Sequence, residues 1–166
     1  MPSDDRKHWV SEKFSEKFGR SPAVWSRAPG RVDLMGSHTD YNLGFVMTLT
    51  IDRDTWIAAR PRPDRRVAIY SLNVAGGGEF DLDHIEQDPI DRWTDYVRGM
   101  AKVMQEAGCA LTGFDGLIHS TVPFGSGLSS SAAIEMATGV LFQLLGGFTR
   151  DPVQLEVLQD QGHVEV

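Results

Sequence analysis

The sequence predicts an α+β fold. Three observations carry that prediction: apolar residues recur at helical spacing at the start, the middle and the end of the chain; several intervening runs are apolar and β-branched; and the two patterns do not alternate strictly, as a doubly wound parallel sheet would require.

The elements follow in order. Val10, Phe14 and Phe18 lie four apart between polar residues and Gly19 follows them, which predicts a short amphipathic helix with a glycine stop. Residues 24–28 read as a strand running into Pro29 and Gly30, and residues 45–51 as another. Between them lies the polar loop GRVDLMGSHTDYNLG, which either feeds a binding site or is a solvated turn. Residues 55–60 and 66–72 read as a hairpin around RPRPDR, whose prolines and Asp64 favour reversal and whose basic residues read as a solvated turn. The glycine-marked segment NVAGGGEFDLDHI leads into a short alternating stretch. Trp93, Val97, Met100, Ala101 and Met104 then mark the core-facing stripe of a helix ended by Gly108. Residues 116–122 alternate and predict a half-exposed strand ending at Pro123. A helical pattern runs from Ser131 to the glycines at 146 and 147, and a last helix starts after Asp151 and Pro152.

Bulk composition limits the function. With 41% hydrophobic and 23% charged residues over 166 positions, the chain is a folded domain or a part of a larger protein rather than a disordered one. Its net charge of −7 argues against a sequence-independent grip on nucleic acid and favours small ligands or proteins as partners. Cys109 is the sole cysteine, so an internal disulfide and a multi-cysteine zinc site are both excluded, and a reducing compartment is expected. The polar start MPSDDRKHW lacks a signal-peptide core and no run of about 18 apolar residues follows, so the expected location is cytoplasmic, with no membrane partner.

The segment PFGSGLSSSAA joins a predicted strand to a helix start and has the composition of a phosphate cradle. The first turn of a helix offers unpaired N–H groups and a partial positive charge, while Gly125 and Gly127 let the backbone approach a ligand. The successive serines at 129, 130 and 131 suit a helix start, and their hydroxyls can bond phosphate or join a magnesium shell. An ordinary glycine-rich turn is the bland alternative. It is not a Walker loop, because no lysine precedes the last serine, nor a dinucleotide fingerprint, which requires glycine where Ser130 stands; a GxSxG elbow is out of register.

Taken together, the two loops resemble those of the GHMP small-molecule kinases, and of galactokinases in particular. RAPGRVDLMGSHTDYNLGFV is similar to the signature APGRVNLIGEHTDYN with its following GFV, VPFGSGLSSSAA to the ATP-binding loop, and RWTDYVRGMAKVM to a helix carrying W-x-x-Y-V-R-G. The resemblance implies the N-terminal domain of such a kinase, a mixed sheet packed with helices of the ribosomal protein S5 domain 2-like type. It implies a substrate site containing Arg31, Ser37, His38, Thr39 and Asp40, with His38 and Asp40 on sugar hydroxyls and Arg31 near the anomeric oxygen, where it would offset charge in phosphoryl transfer. Gly125, Ser126, Gly127, Leu128, Ser129, Ser130 and Ser131 would hold the ATP phosphates, and Ser131 with Glu165 would contribute to a Mg²⁺ site.

Two positions depart from the pattern. Asp33 replaces the usual Asn, and Ser37 replaces a Glu that in galactokinases recognises the C6 hydroxyl. Losing that charge-assisted hydrogen bond removes on the order of 1.5–3 kcal/mol. Arabinose, which lacks C6, and galacturonate, which carries an acid there, therefore join galactose as candidate substrates. The C-G-x-M-D motif that holds the family's catalytic Asp does not occur up to Val166, so an incomplete kinase without its C-terminal domain is expected. The alternative is a non-catalytic sugar- or ATP-responsive protein on the same scaffold. Oligomeric state is not encoded in any motif.

Overall fold

The computed structural model describes residues 3–36 and 45–164, with side chains as far as Gly162. The chain forms α1 (Ser3–Phe18), β1 (Val24–Met35), β2 (Met47–Pro61), β3 (Arg66–Ser71), β4 (Gly77–Asp81), a 3₁₀ turn (Arg92–Thr94), α2 (Asp95–Glu106), β5 (Phe114–Ser120), α3 (Ser130–Gly146) and α4 (Pro152–Val164). The five strands make one mixed sheet in the order β1-β2-β5-β3-β4, antiparallel except where β3 runs parallel to β5. This is the α+β architecture expected.

Helices cover both faces. Ile57, Ala59, Val67, Ile69, Phe114 and Ile118 point into the main core with Met100 and Met104 of α2, Leu141 and Phe142 of α3 and Leu155 of α4. Phe114 and Phe142 meet edge to face with ring centroids 5.5 Å apart. On the opposite face, Val10 and Phe14 of α1 pack on Ala58 and Leu117, so the predicted apolar stripe does bind α1 to the sheet.

Four strand readings are corrected. The expected hairpin between residues 55–60 and 66–72 does not form, because β5 is inserted between β2 and β3: Ile57 pairs with Ile118 and Ile69 with Gly116. RPRPDR does reverse the chain, but Arg62 N donates to Gly113 O at 2.9 Å and its guanidinium bridges Asp64 and Asp115, so the turn is tied to β5. Prolines and aspartate specify that a chain turns, not which strand it then joins. The half-exposed strand of residues 116–122 is instead central, and all but one residue of β5 are buried. Its alternation is real, but one set of side chains meets α1 and the other α2 and α3, so neither faces water. Finally, the expected strands at residues 45–51 and 55–60 merge into one continuous strand that begins at Met47, and β1 does not stop at Pro29 but continues to Met35 with irregular register between Pro29 and Arg31 and between Asp33 and Met35.

Among the described residues no helix is long and apolar enough to cross a membrane.

Candidate functional site

The site is built where β1, the end of β5 and the start of α3 converge. After Ser120 the chain leaves the sheet, and the backbone of the β5–α3 connection takes positive φ at Gly125 (+67°), Gly127 (+73°) and Ser129 (+58°). Among the described residues Ser129 alone adopts this conformation without being glycine, a strained choice concentrated at ligand-binding loops. Ser129 caps α3 with no side-chain hydrogen bond, so Ser130 and Ser131 open the helix with its first-turn N–H groups directed at the loop. Ser126 Oγ donates to Pro123 O at 2.8 Å and braces the turn.

Strand β1 meets this loop directly. Arg31 N donates to Leu128 O at 3.2 Å, and a Cβ placed on Gly30 would lie 2.9 Å from Leu128 O and 3.1 Å from both methyls of Val122. Only glycine permits that approach. Arg31, at the irregularity of β1, is thereby set beside the predicted phosphate loop, joining two motifs some ninety positions apart.

A cavity of about 470 Å³ adjoins the loop at Gly125, Ser130 and Ser131. Trp93, Tyr96, Ile118 and Ile134 give it apolar and aromatic walls. Asn73 stiffens another wall: its Oδ1 accepts from Ser120 N at 2.7 Å while its Nδ2 donates to Ser120 O at 2.8 Å. The Trp93 indole N–H is buried without a hydrogen-bond partner. A larger cleft of about 620 Å³ opens between α1 and the β3–β4 connection, but it touches neither loop motif.

Trp93, read from the sequence as core-facing and indeed packed on the core, and Tyr96 are cavity-lining residues that the sequence reading did not assign to the site. Trp93 is partly buried and borders the core, yet it also lines the cavity. Their three-residue spacing, from the 3₁₀ turn into the first turn of α2, is the signal that they share one side.

Below the loop root sits a charged cluster. Arg6 Nε donates to His119 Nδ1 at 2.8 Å, and the same guanidinium pairs with Asp54. Burial, reinforced by the Arg6 charge, pushes the His119 imidazole down to about 4. For Asp54, burial opposes ionisation, but hydrogen bonds from Arg6, Trp56 and Arg27 outweigh it and hold the carboxyl below its ordinary range.

Of the residues predicted to form the site, the structure brings Arg31 together with the loop from Gly125 to Ser131. Ser37, His38, Thr39, Asp40 and Glu165 lie outside the described residues. Among the described residues no group of three or more His, Cys, Asp or Glu could hold a metal ion. Ser131 borders the cavity as one oxygen donor, a fit for a magnesium ion carried by nucleotide phosphates and completed by water rather than one caged by protein.

The chain matches two family models: the galactokinase galactose-binding signature over residues 12–61 and the GHMP kinases N terminal domain over residues 95–164. It is 52% identical over 132 residues to a galactokinase of Chloroflexus aggregans and 49% identical over the same length to one of Chloroflexus aurantiacus, each alignment taking in 80% of this chain and 34% of the relative. The chain thus spans about a third of the length of the curated relatives it matches. Its fold superposes on the crystal structure of Lactococcus lactis galactokinase complexed with galactose with a TM-score of 0.87 at 37% identity, covering 95% of this chain and 42% of that one. Methanococcus jannaschii mevalonate kinase shares the fold at a TM-score of 0.74 and 19% identity, over 88% of this chain and 47% of its own.

Proposed function

Because the chain belongs to the GHMP kinase family, with galactokinases among its relatives, we propose that it supplies the sugar- and ATP-binding part of a kinase that phosphorylates the anomeric hydroxyl of galactose or a related sugar. The observation that carries this reading is the direct contact between the two motifs, Arg31 N to Leu128 O at 3.2 Å with Gly30 pressed against the loop.

In this reading the nucleobase enters the cavity and lies against the apolar and aromatic walls formed by Trp93, Tyr96, Ile118 and Ile134. The phosphates follow the positive-φ backbone from Gly125 to Ser129 and end at the N-terminus of α3, where N–H groups and the helix dipole favour negative charge. Ser131 offers its hydroxyl to a nucleotide-bound Mg²⁺, which when present neutralises phosphate charge. Arg31, whose own N–H makes the contact, holds its cation near the transferring group, so that positioning and electrostatics supply most of the catalysis. His38, Thr39 and Asp40 hold the sugar.

Ser37 sets substrate preference in this scheme: without the usual carboxylate, arabinose and galacturonate compete with galactose, and Ser37→Glu shifts preference to galactose. Sugar-dependent ADP release by the full-length gene product, measured on all three sugars, tests the proposal. No turnover with any of them, combined with tight calorimetric binding of sugar and ATP, would replace it with a non-catalytic sensor on the same scaffold.

A further inference from the structure

On the α1 face of the sheet, beneath the root of the phosphate loop, one carboxylate joins four elements. Asp54 of β2 is 5% exposed and accepts hydrogen bonds from Arg6 of α1, from Arg27 Nε of β1 and from the Trp56 indole at 3.0 Å. Its residue is also laced to Thr121, the first residue after β5. Thr121 N donates to Asp54 O at 2.9 Å, Asp54 N donates to Thr121 Oγ1 at 3.0 Å, and Thr121 Oγ1 lies 3.4 Å from Asp54 Oδ1. In the β1–β2 ladder Asp54 stands opposite Pro29, immediately before the register shift that brings Gly30 and Arg31 against Leu128.

A buried ion pair is weak as a source of stability, since apolar residues of similar volume often do as well; its more general use is to fix one geometry among several. Here the geometry fixed is functional. The loop leaves the sheet through Thr121, and the β1 irregularity begins beside Asp54. We propose that Asp54 is a positioning residue for nucleotide binding: acting through Thr121 and the Pro29–Arg31 irregularity, and braced by Arg6 of α1, it sets the phosphate loop and Arg31 in one frame. The proposal rests on the reading of Gly125 to Ser131 as the phosphate loop.

The test is calorimetric titration of the full-length gene product with Mg-ADP at a temperature well below its unfolding midpoint. Thr121→Val, which keeps the volume and removes the hydroxyl, is expected to weaken binding at least fivefold. Thr121→Ser is expected to restore it to within twofold, and Asp54→Asn to weaken it tenfold or more. A merely structural role would lower the unfolding midpoint and leave the affinity of the folded protein unchanged. Affinities of folded Thr121→Val and Asp54→Asn within twofold of the wild type would overturn the proposal; if Asp54→Asn does not fold, the Val and Ser pair at position 121 decides. Failure of the unmodified chain to bind Mg-ADP would instead remove the phosphate-loop reading itself, and this proposal with it.

Discussion

Gly30→Ala tests the contact on which the functional reading depends. The added methyl would sit 2.9 Å from Leu128 O and 3.1 Å from both Val122 methyls, whereas unstrained carbon contacts lie near ~3.5–4.0 Å. The loop must therefore retreat by roughly half an ångström. Rotation of Val122 gives no relief, because both of its methyls already touch the site, and a backbone carbonyl cannot swing aside alone. The retreat also stretches the Arg31 N to Leu128 O bond, already 3.2 Å, beyond useful hydrogen-bond length. Overpacking costs about 1–3 kcal/mol and the lost bond about 1 kcal/mol more. At ~2–4 °C per kcal/mol for a chain of this size, the unfolding midpoint should fall by roughly 4–16 °C. Because the displaced atoms belong to the phosphate loop, Mg-ADP affinity measured by calorimetry on the folded variant should fall about tenfold, or ~1.4 kcal/mol. An unchanged midpoint together with an unchanged affinity would refute the reasoning.

Three other outcomes are expected. Trp93→Ala removes an aromatic wall of the cavity, so ADP affinity should drop about tenfold, as befits the loss of one base–aromatic contact; equal affinity would exclude nucleobase binding there. Acidification should destabilise the fold through His119: its folded value of about 4 lies below the ordinary 6.5, so the unfolded chain takes up the proton first and stability declines as pH falls from the upper value towards the lower. Between pH 7 and 4.5 the unscreened loss would be about 2 kcal/mol, nearer ~1 kcal/mol for a ring partly open to solvent. Urea titrations should show that slope flattened in His119→Gln; Asp54, whose titration lies lower still, adds nothing in this window. Ser131→Ala should weaken the Mg²⁺-dependent increment of ATP binding while leaving Mg²⁺-free binding nearly unchanged, a difference readable by paired titrations with and without EDTA.

Much of the fold was legible because helix faces are written in near neighbours. Val10 and Phe14, or Met100 and Met104, are brought to one side by the helical repeat alone, and Gly19 and Gly108 end their helices by a local backbone preference. The loop from Gly125 to Ser131 was legible for the same reason, its glycines and serines being required by backbone conformation and helix entry. The insertion of β5 between β2 and β3 was not, since RPRPDR dictates a reversal under either strand order. Nor was the role of Trp93, whose spacing fits a core stripe equally well; only the packing of Ile118, Ile134 and the loop around it leaves a cavity there.

By itself, then, the sequence determined the helical faces, the turns and the two glycine-marked loop motifs, because each depends on interactions within a few residues. Tertiary structure decided their meeting: Gly30 against Leu128, Arg31 beside the loop, and Asp54 linking α1, β1 and Thr121. Those contacts join residues separated by up to about a hundred positions, and such pairings are selected by the complementarity of whole surfaces once strand order is set, which no local pattern encodes.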